Sequence, residues 1–295
     1  MGEPKAGFIG KAVERKEDYR FLTGMGQYTD DVTLPGQTYG VFLRSPHAHA
    51  RIVKVDTAAA AGAPGVLAIF TGKDFEPVGG LPCGWLINNL DGTPMKEPKH
   101  AVLAADKVRY VGDQVALVVA GTLAQAKAAA ALIEVDYDIL PAVADTATAR
   151  GAGSAVHDIA PDNVCYDWGC GDKAATDAAF AQAAHVTRLE YVNNRLIPNA
   201  IEPRAANAVY SRADDSYTLY VANQNPHVER LLMTAFVLGL PEHKVRVIAP
   251  DVGGGFGSKI FLYAEETALV FASRRIGRPI KWTAERSESF LSDAH

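Results

Sequence analysis

Residues 252–259 read VGGGFGSK, so that every position from 253 to 257 is glycine except Phe256. Glycine in such density costs backbone entropy on folding, and it is used where a chain needs positive φ or where something approaches closer than a Cβ permits. Some thirty residues earlier, YVANQNPHVERL ends a strand pattern and opens a helical one, which puts Gln224 at a strand's C-terminal end. The glycine run occupies the same kind of junction, after HKVRVIAP and before IFLYAEETALVFASRRIG. If the two strands are neighbours, bare main-chain N–H groups and a carboxamide converge as neutral donors, a set suited to metal-oxo or phosphate oxygens.

Competing chemistries fit less well. A P-loop needs Gly-Lys followed by Ser or Thr, whereas Lys259 follows Ser258 and precedes Ile260. A dinucleotide fingerprint begun at Gly253 meets Ser258 where its third glycine belongs. A tight turn without ligand needs only one or two glycines. Cys165 and Cys170 have the first gap of a plant-type iron–sulfur motif, but Lys173 stands where the next cysteine belongs. A zinc site with His157 lacks a fourth ligand, so these thiols are expected to be packed. His47 and His49 are read as two same-side positions of a strand with a surface or packing role rather than a metal site, Glu202 as the salt-bridge partner of Arg204, and Glu265 and Glu266 as lying on different helix faces rather than forming a catalytic pair.

The elements that must carry these residues follow from periodicity. GVFLRSPHAHARIVKV reads as strands broken at Pro46, GVLAIFTG as a short buried strand, and VRYVGDQVALVVA as two strands about Gly112 and Asp113. Thr122 caps a helix through TLAQAKAAAALIEV, and VDYDILPAVAD returns as strand to Pro141. The small, polar residues 146–163 mark a linker. Beyond it come a helix at 172–184, strands in HVTRLEYVNN, RAANAVYSR and SYTLYVAN, and a helix at 226–240 ended by Gly239. The helix after the glycine run is closed by Arg274, Arg275, Gly277 and Pro279.

The 295 residues are 48% hydrophobic and carry a net charge of −5, which suits two globular domains and leaves no basic field for nucleic acid. No apolar stretch is long enough to span a membrane, no export signal is present, Ala6 disqualifies a myristoylation signal, and three cysteines make no disulfide framework; a cytoplasmic location is expected.

GGGFG after a buried strand, NQNPH and NNRLIPNAIEPRAA upstream, and FLTGMGQYTDD, RSPHAHARI and VRYVGDQVALVVA in the first half together resemble the large subunit of molybdenum hydroxylases. This family includes aerobic carbon monoxide dehydrogenase, aldehyde oxidase, nicotine dehydrogenase and xanthine dehydrogenase. The resemblance implies an α+β chain: an α/β hammerhead domain over residues 16–146, then the first, incomplete part of a molybdopterin-binding domain over 147–295. It places Gln224 where the family's glutamine hydrogen-bonds an oxygen ligand of molybdenum, and Gly254, Gly255, Phe256 and Gly257 in the loop facing that ligand sphere. The cofactor implied is molybdenum-molybdopterin in its cytosine dinucleotide form, with the metal held by the pterin and no protein metal ligand. Partners implied are an FAD-binding medium subunit, a 2Fe-2S small subunit and a second polypeptide completing the molybdenum site, because the family's general base lies beyond anything matched here and no catalytic residue can be assigned. The reaction implied is oxidation of an aldehyde, an N-heterocycle or carbon monoxide with oxygen drawn from water. Ile260 stands where xanthine-type enzymes carry a purine-recognising glutamate, which argues against purines. The rival reading is a truncated, non-catalytic module that mediates subunit assembly; a nucleotide-binding enzyme ranks third.

Overall fold

The computed structural model describes residues 7, 8 and 10–294; Met1–Ala6, on which the myristoylation reading rests, lie outside the described residues, as does the terminal His295. A short helix α1 (Asp18–Leu22) precedes strands β1 (Thr38–Arg44) and β2 (Ala50–Asp56), helix α2 (Ala58–Ala61), and strands β3 (Val66–Thr71), β4 (Lys107–Val108) and β5 (Gln114–Ala120). Helix α3 (Leu123–Ala130) and strand β6 (Glu134–Ile139) complete the first half. The second half contains α4 (Lys173–Gln182), β7 (Ala205–Ser211), β8 (Ser216–Val221), α5 (Pro226–Leu231), β9 (Val245–Ile248), α6 (Ala264–Ile276), β10 (Ile280–Thr283) and α7 (Arg286–Ser292). The fold is mixed α+β, as expected.

Seven strands form one sheet in the order β3-β5-β1-β10-β7-β8-β9, and a second sheet has the order β4-β2-β6. The larger sheet crosses the linker: β1 of the first half pairs in parallel with β10 of the second. Every residue of β5 is buried, which explains its unbroken apolar run QVALVVA rather than an alternating one. The main core accordingly draws Phe42, Phe70 and Leu117 from one half and Leu219, Met233, Leu269, Ile280 and Trp282 from the other. Thr122 caps α3 as read, its hydroxyl accepting from the Gln125 N–H at 3.2 Å. Gly277 ends α6 at φ 66°.

Several expectations are corrected. Residues 185–194 form no strand: a strand needs a hydrogen-bonding neighbour, none among the described residues runs beside this segment, and Leu189, Tyr191 and Val192 stay exposed. His47 and His49 lie in the connection between β1 and β2, where the His47 ring meets Tyr137 edge-on and His49 Nδ1 lies 2.9 Å from the Pro141 carbonyl oxygen. Of the two thiols expected to be packed, Cys170 is exposed and Cys165 only half-buried, both on irregular segments. The helix begun at Pro226 widens into a π-helical stretch over Leu232–Leu238 before Gly239 ends it, and the Val237 carbonyl accepts from the Gly79 N–H at 2.9 Å. Helix α6 starts at Ala264, leaving residues 260–263 to link it to the glycine run.

Charge joins the two halves as well as apolar packing. Arg204, just before β7, lies fully buried and donates to both Glu265 oxygens, at 3.0 and 3.2 Å, and to Asp293 at 2.6 Å. Arg44, at the end of β1, donates to Glu265 at 2.7 Å and to Glu288 at 2.9 Å. Burial by itself raises the Glu265 pKa, but the two guanidinium groups outweigh it and hold the carboxylate well below its usual range. Its contribution to stability is therefore complete above the ordinary glutamate value of about 4.3 and is lost as pH falls below it. Glu265→Gln leaves Arg204 only Asp293 and Arg44 only Glu288 as carboxylate partners, so urea unfolding is expected to show a loss of about 3 kcal/mol at neutral pH, with a flatter acid limb than the parent chain.

Candidate functional site

Strands β8 and β9 are parallel neighbours, Tyr217 to Tyr220 lying beside Val245 to Ile248, so the segments leaving their C-terminal ends emerge together. Gln224 follows β8 and the glycine loop follows β9. Their contact is direct: Gln224 Oε1 accepts from the Gly257 N–H at 3.0 Å and the Lys259 N–H at 3.3 Å, while the Gln224 N–H donates to the Lys259 carbonyl at 2.8 Å. With its oxygen committed to the loop, the exposed carboxamide keeps Nε2 as a donor without a protein partner among the described residues.

Each glycine in the loop has its own reason. A Cβ at Gly255 would lie 2.3 Å from Gln224 Oε1, and one at Gly253 would lie 2.5 Å from Glu202 Cβ. Gly254 and Gly257 adopt φ of 98° and 95°, where a side chain is strained. The close approaches that exclude a Cβ at 253 and 255 are thus made by the protein's own side chains. Phe256 also takes positive φ, 51°, an uncommon state for a bulky residue, and its ring is 75% exposed.

The loop's hydrogen bonding is lopsided. Gly253 N–H donates to Glu202 Oε2, Gly257 and Lys259 N–H to Gln224, Ser258 N–H to the Gly255 carbonyl, and Ile260 N–H to the Gly257 carbonyl. The three consecutive N–H groups of Gly254, Gly255 and Phe256 have no protein acceptor among the described residues. Adjacent unpaired amides in a glycine-rich bend form a concavity that binds anionic or oxygen-rich groups. The Gln224 carboxamide stands against Gly255, which adds a neutral side-chain donor to the three amides. Among the described residues no three His, Cys, Asp or Glu side chains converge to hold a metal ion.

Other residues at the site were paired differently from the sequence expectation, or not anticipated. Glu202 pairs with Lys259, not Arg204: Lys259 Nζ donates to Glu202 Oε2 at 2.9 Å and to the Glu202 carbonyl at 2.8 Å. Tyr263 donates its hydroxyl to the Ser258 carbonyl, and the Arg204 guanidinium lies 3.8 Å from the centre of its ring. Local sequence does not signal the Glu202–Lys259 and Arg204–Tyr263 contacts, which join segments far apart in the chain; the Tyr263–Ser258 bond is local. A cavity of about 510 Å³ between β1, β10 and α7 touches neither Gln224 nor the loop. Its charges are already used, Lys127 on Glu285 and Arg44 on Glu288, so it presents less unsatisfied donor capacity than the loop.

Comparison with known proteins supplies the family. Residues 23–141 match the aldehyde oxidase and xanthine dehydrogenase a/b hammerhead domain, and residues 156–295 match the molybdopterin cofactor-binding domain. The chain belongs to the molybdenum hydroxylase large-subunit family. It is 38% identical to the carbon monoxide dehydrogenase large chain of Afipia carboxidovorans, over 97% of this chain and 36% of that one. It is 36% identical to the nicotine 6-hydroxylase large subunit of Paenarthrobacter nicotinovorans, over 97% and 34%. The crystal structure of quinoline 2-oxidoreductase from Pseudomonas putida 86 superposes with a TM-score of 0.85 at 37% identity, covering 98% of this chain and 36% of that one. The chain therefore spans about a third of the length of these relatives. No helix among the described residues is long and apolar enough to cross a membrane.

Beneath the site, Glu229 of α5 and Glu266 of α6 are fully buried. Burial and the neighbouring carboxylate push Glu229 well above its usual range; burial also raises Glu266, against the pull of Arg204 and the Tyr263 N–H that its side chain caps. A carboxyl raised in the folded state contributes stability that is complete below its unfolded pKa of about 4.3 and is lost as pH rises through the folded value. Among the described residues no N–H or hydroxyl group donates to Glu229, whose carboxyl meets the Glu266 carboxyl instead, a pair that needs a proton to bond. Glu229→Gln removes the charge at constant volume and is expected to raise the melting temperature at pH 8 while leaving it unchanged near pH 4, as differential scanning fluorimetry across pH would show.

Proposed function

We propose that this chain forms the first part of the molybdenum-cofactor-binding large subunit of a molybdenum hydroxylase, with Gln224 and the loop Gly254, Gly255, Phe256 and Gly257 as its cofactor contact. The observation that carries the reading is the run of three acceptor-free amides beside the open Gln224 amide. Molybdopterin in its cytosine dinucleotide form is rich in oxygen acceptors, and a neutral donor set can orient such a group without competing for its metal. When bound, the cofactor supplies the redox chemistry by which a carbon centre takes up oxygen from water. The chain's own part is orientation: Gln224 Nε2 and the loop N–H groups donate, and Phe256 presents an exposed apolar face.

The substrate class proposed is a small aldehyde, N-heterocycle or carbon monoxide. Ile260, 42% exposed beside the loop, offers no carboxylate to a purine. Electrons would leave through a 2Fe-2S subunit and an FAD-binding subunit. The remainder of the site is assigned to further polypeptide, because no general base is identified among the residues at the loop. The family contains shorter molybdopterin subunits: this chain spans 62% of the nicotinate dehydrogenase large molybdopterin subunit of Eubacterium barkeri, to which it is 30% identical. The exposed apolar segment 185–194, with Leu189, Tyr191 and Val192 in solvent, favours a second reading, a module that mediates subunit assembly without chemistry.

Elemental and pterin analysis of the chain purified with its co-expressed neighbouring subunits separates the two. Stoichiometric molybdenum and pterin are expected in the parent complex. Gln224→Ala is expected to lower both by about tenfold or more, the usual cost of losing a supporting hydrogen bond at a metal site. A complex that assembles without molybdenum or pterin supports the assembly module instead.

A further inference from the structure

The loop is clamped twice, and only one clamp involves Gln224. The other is a single carboxylate oxygen, Glu202 Oε2, which accepts from Gly253 N–H at the start of the loop, at 2.7 Å, and from Lys259 Nζ at its end, at 2.9 Å. Backbone contacts reinforce it: the Glu202 N–H donates to the Gly253 carbonyl at 3.2 Å, and Lys259 Nζ donates to the Glu202 carbonyl at 2.8 Å. The Lys259 side chain is only 2% exposed, and the Glu202 side chain 13%. The other carboxylate oxygen, Oε1, is buried without a partner among the described residues, so the hydrogen bonding of this carboxylate there goes through the atom that joins the loop's two ends.

We infer that Glu202 and Lys259 form a latch that sets the span of the glycine loop, making both positioning residues for the three amides between them. The physical reason is connectivity. Between the latched ends lie two glycines at positive φ and Phe256 in the same region, a backbone with little tendency to hold one shape unaided. One oxygen bonded at both ends holds those ends together, which turns the unpaired N–H groups of residues 254–256 into a preorganised concavity. The lysine cannot hold its place alone. A buried ammonium without its carboxylate leaves for solvent or loses its proton, and the loop's end goes with it. Glu202 stands outside the loop, on the segment leading to Arg204, so the latch also ties the loop to the buried arginine.

The consequence for the site rests on the cofactor-contact reading above, but the latch has a readout that does not. The test uses the chain purified with its co-expressed subunits, as parent, Glu202→Gln, and the charge-free double variant Glu202→Gln with Lys259→Met. Hydrogen–deuterium exchange over residues 253–259 is read first and needs no cofactor. Exchange in Glu202→Gln is expected to rise by about tenfold or more in this segment while α6 stays protected. The double variant removes the stranded charge and is expected to regain the parent's melting temperature, as replacement of a buried ion pair by uncharged side chains commonly allows. Its loop exchange is expected to stay high, and its molybdenum content to stay about tenfold or more below the parent's. Parent-like loop exchange in Glu202→Gln, or parent-like exchange and molybdenum in the double variant, overturns the latch. A parent complex without molybdenum overturns the cofactor contact instead and leaves the exchange result to decide the latch.

Discussion

The burial of Arg204 governs much of this architecture. A guanidinium removed from water must find carboxylates in fixed geometry, and Arg204 finds them on α6 and at the end of α7, through Glu265 and Asp293. Glu265 in turn satisfies Arg44 of β1. One carboxylate therefore connects the start of β7, the end of β1 and the first turn of α6, elements drawn from both sides of the linker. The aromatic rings of Tyr263 and Trp282 flank the same guanidinium, 3.8 and 5.2 Å from its centre, adding cation–π contact in a desolvated setting. Because Tyr263 also bonds the Ser258 carbonyl, the network reaches the glycine loop itself.

Around that anchor the loop is stabilised from several sides and left open on one. Gln224 fixes its second half from β8, Glu202 joins its ends, and Glu266 caps the helix that follows. Among the groups left without a protein partner there, three consecutive N–H groups and one carboxamide donor lie together on the open side. A surface loop could leave such donors to water; here the strained backbone that displays them is held by buried groups, the arrangement expected of a preorganised ligand contact. The Glu229–Glu266 carboxyl pair beneath it adds a second cost to the same region, one that grows as pH rises. Stability and site geometry are therefore drawn from the same few side chains.

Much of this was legible in the sequence. Strand alternation and the caps at Thr122 and Gly277 located elements to within a few residues, because those signals are local and carry their own hydrogen-bond chemistry. The placement of Gln224 and the glycine loop at two strand ends was likewise visible, and the parallel pairing of β8 with β9 brought them into contact as expected. Residues 185–194 show the limit: alternation marks a segment fit for a sheet but does not supply the neighbouring strand. His47 and His49 show another, since two residues of the right spacing share a face only if the chain between β1 and β2 is extended there, and it turns instead.

The sequence by itself determined most of the strands and helices, that a glycine loop follows a strand, and which family's motifs the chain carries, because each of these depends on residues close together in the chain; that this strand, β9, is a half-exposed edge rather than a buried one was not among them. Tertiary structure alone decided the partners. Glu202 lies two residues from Arg204 yet pairs with Lys259, and Arg204 reaches Glu265 instead, because burial rewards the cation that can be enclosed with all its donors satisfied, not the nearest one in sequence. In the same way the glycines at 253 and 255 answer to Glu202 and Gln224, side chains 51 and 31 positions away, whose approach exists only once β8, β9 and the segment before β7 have come together.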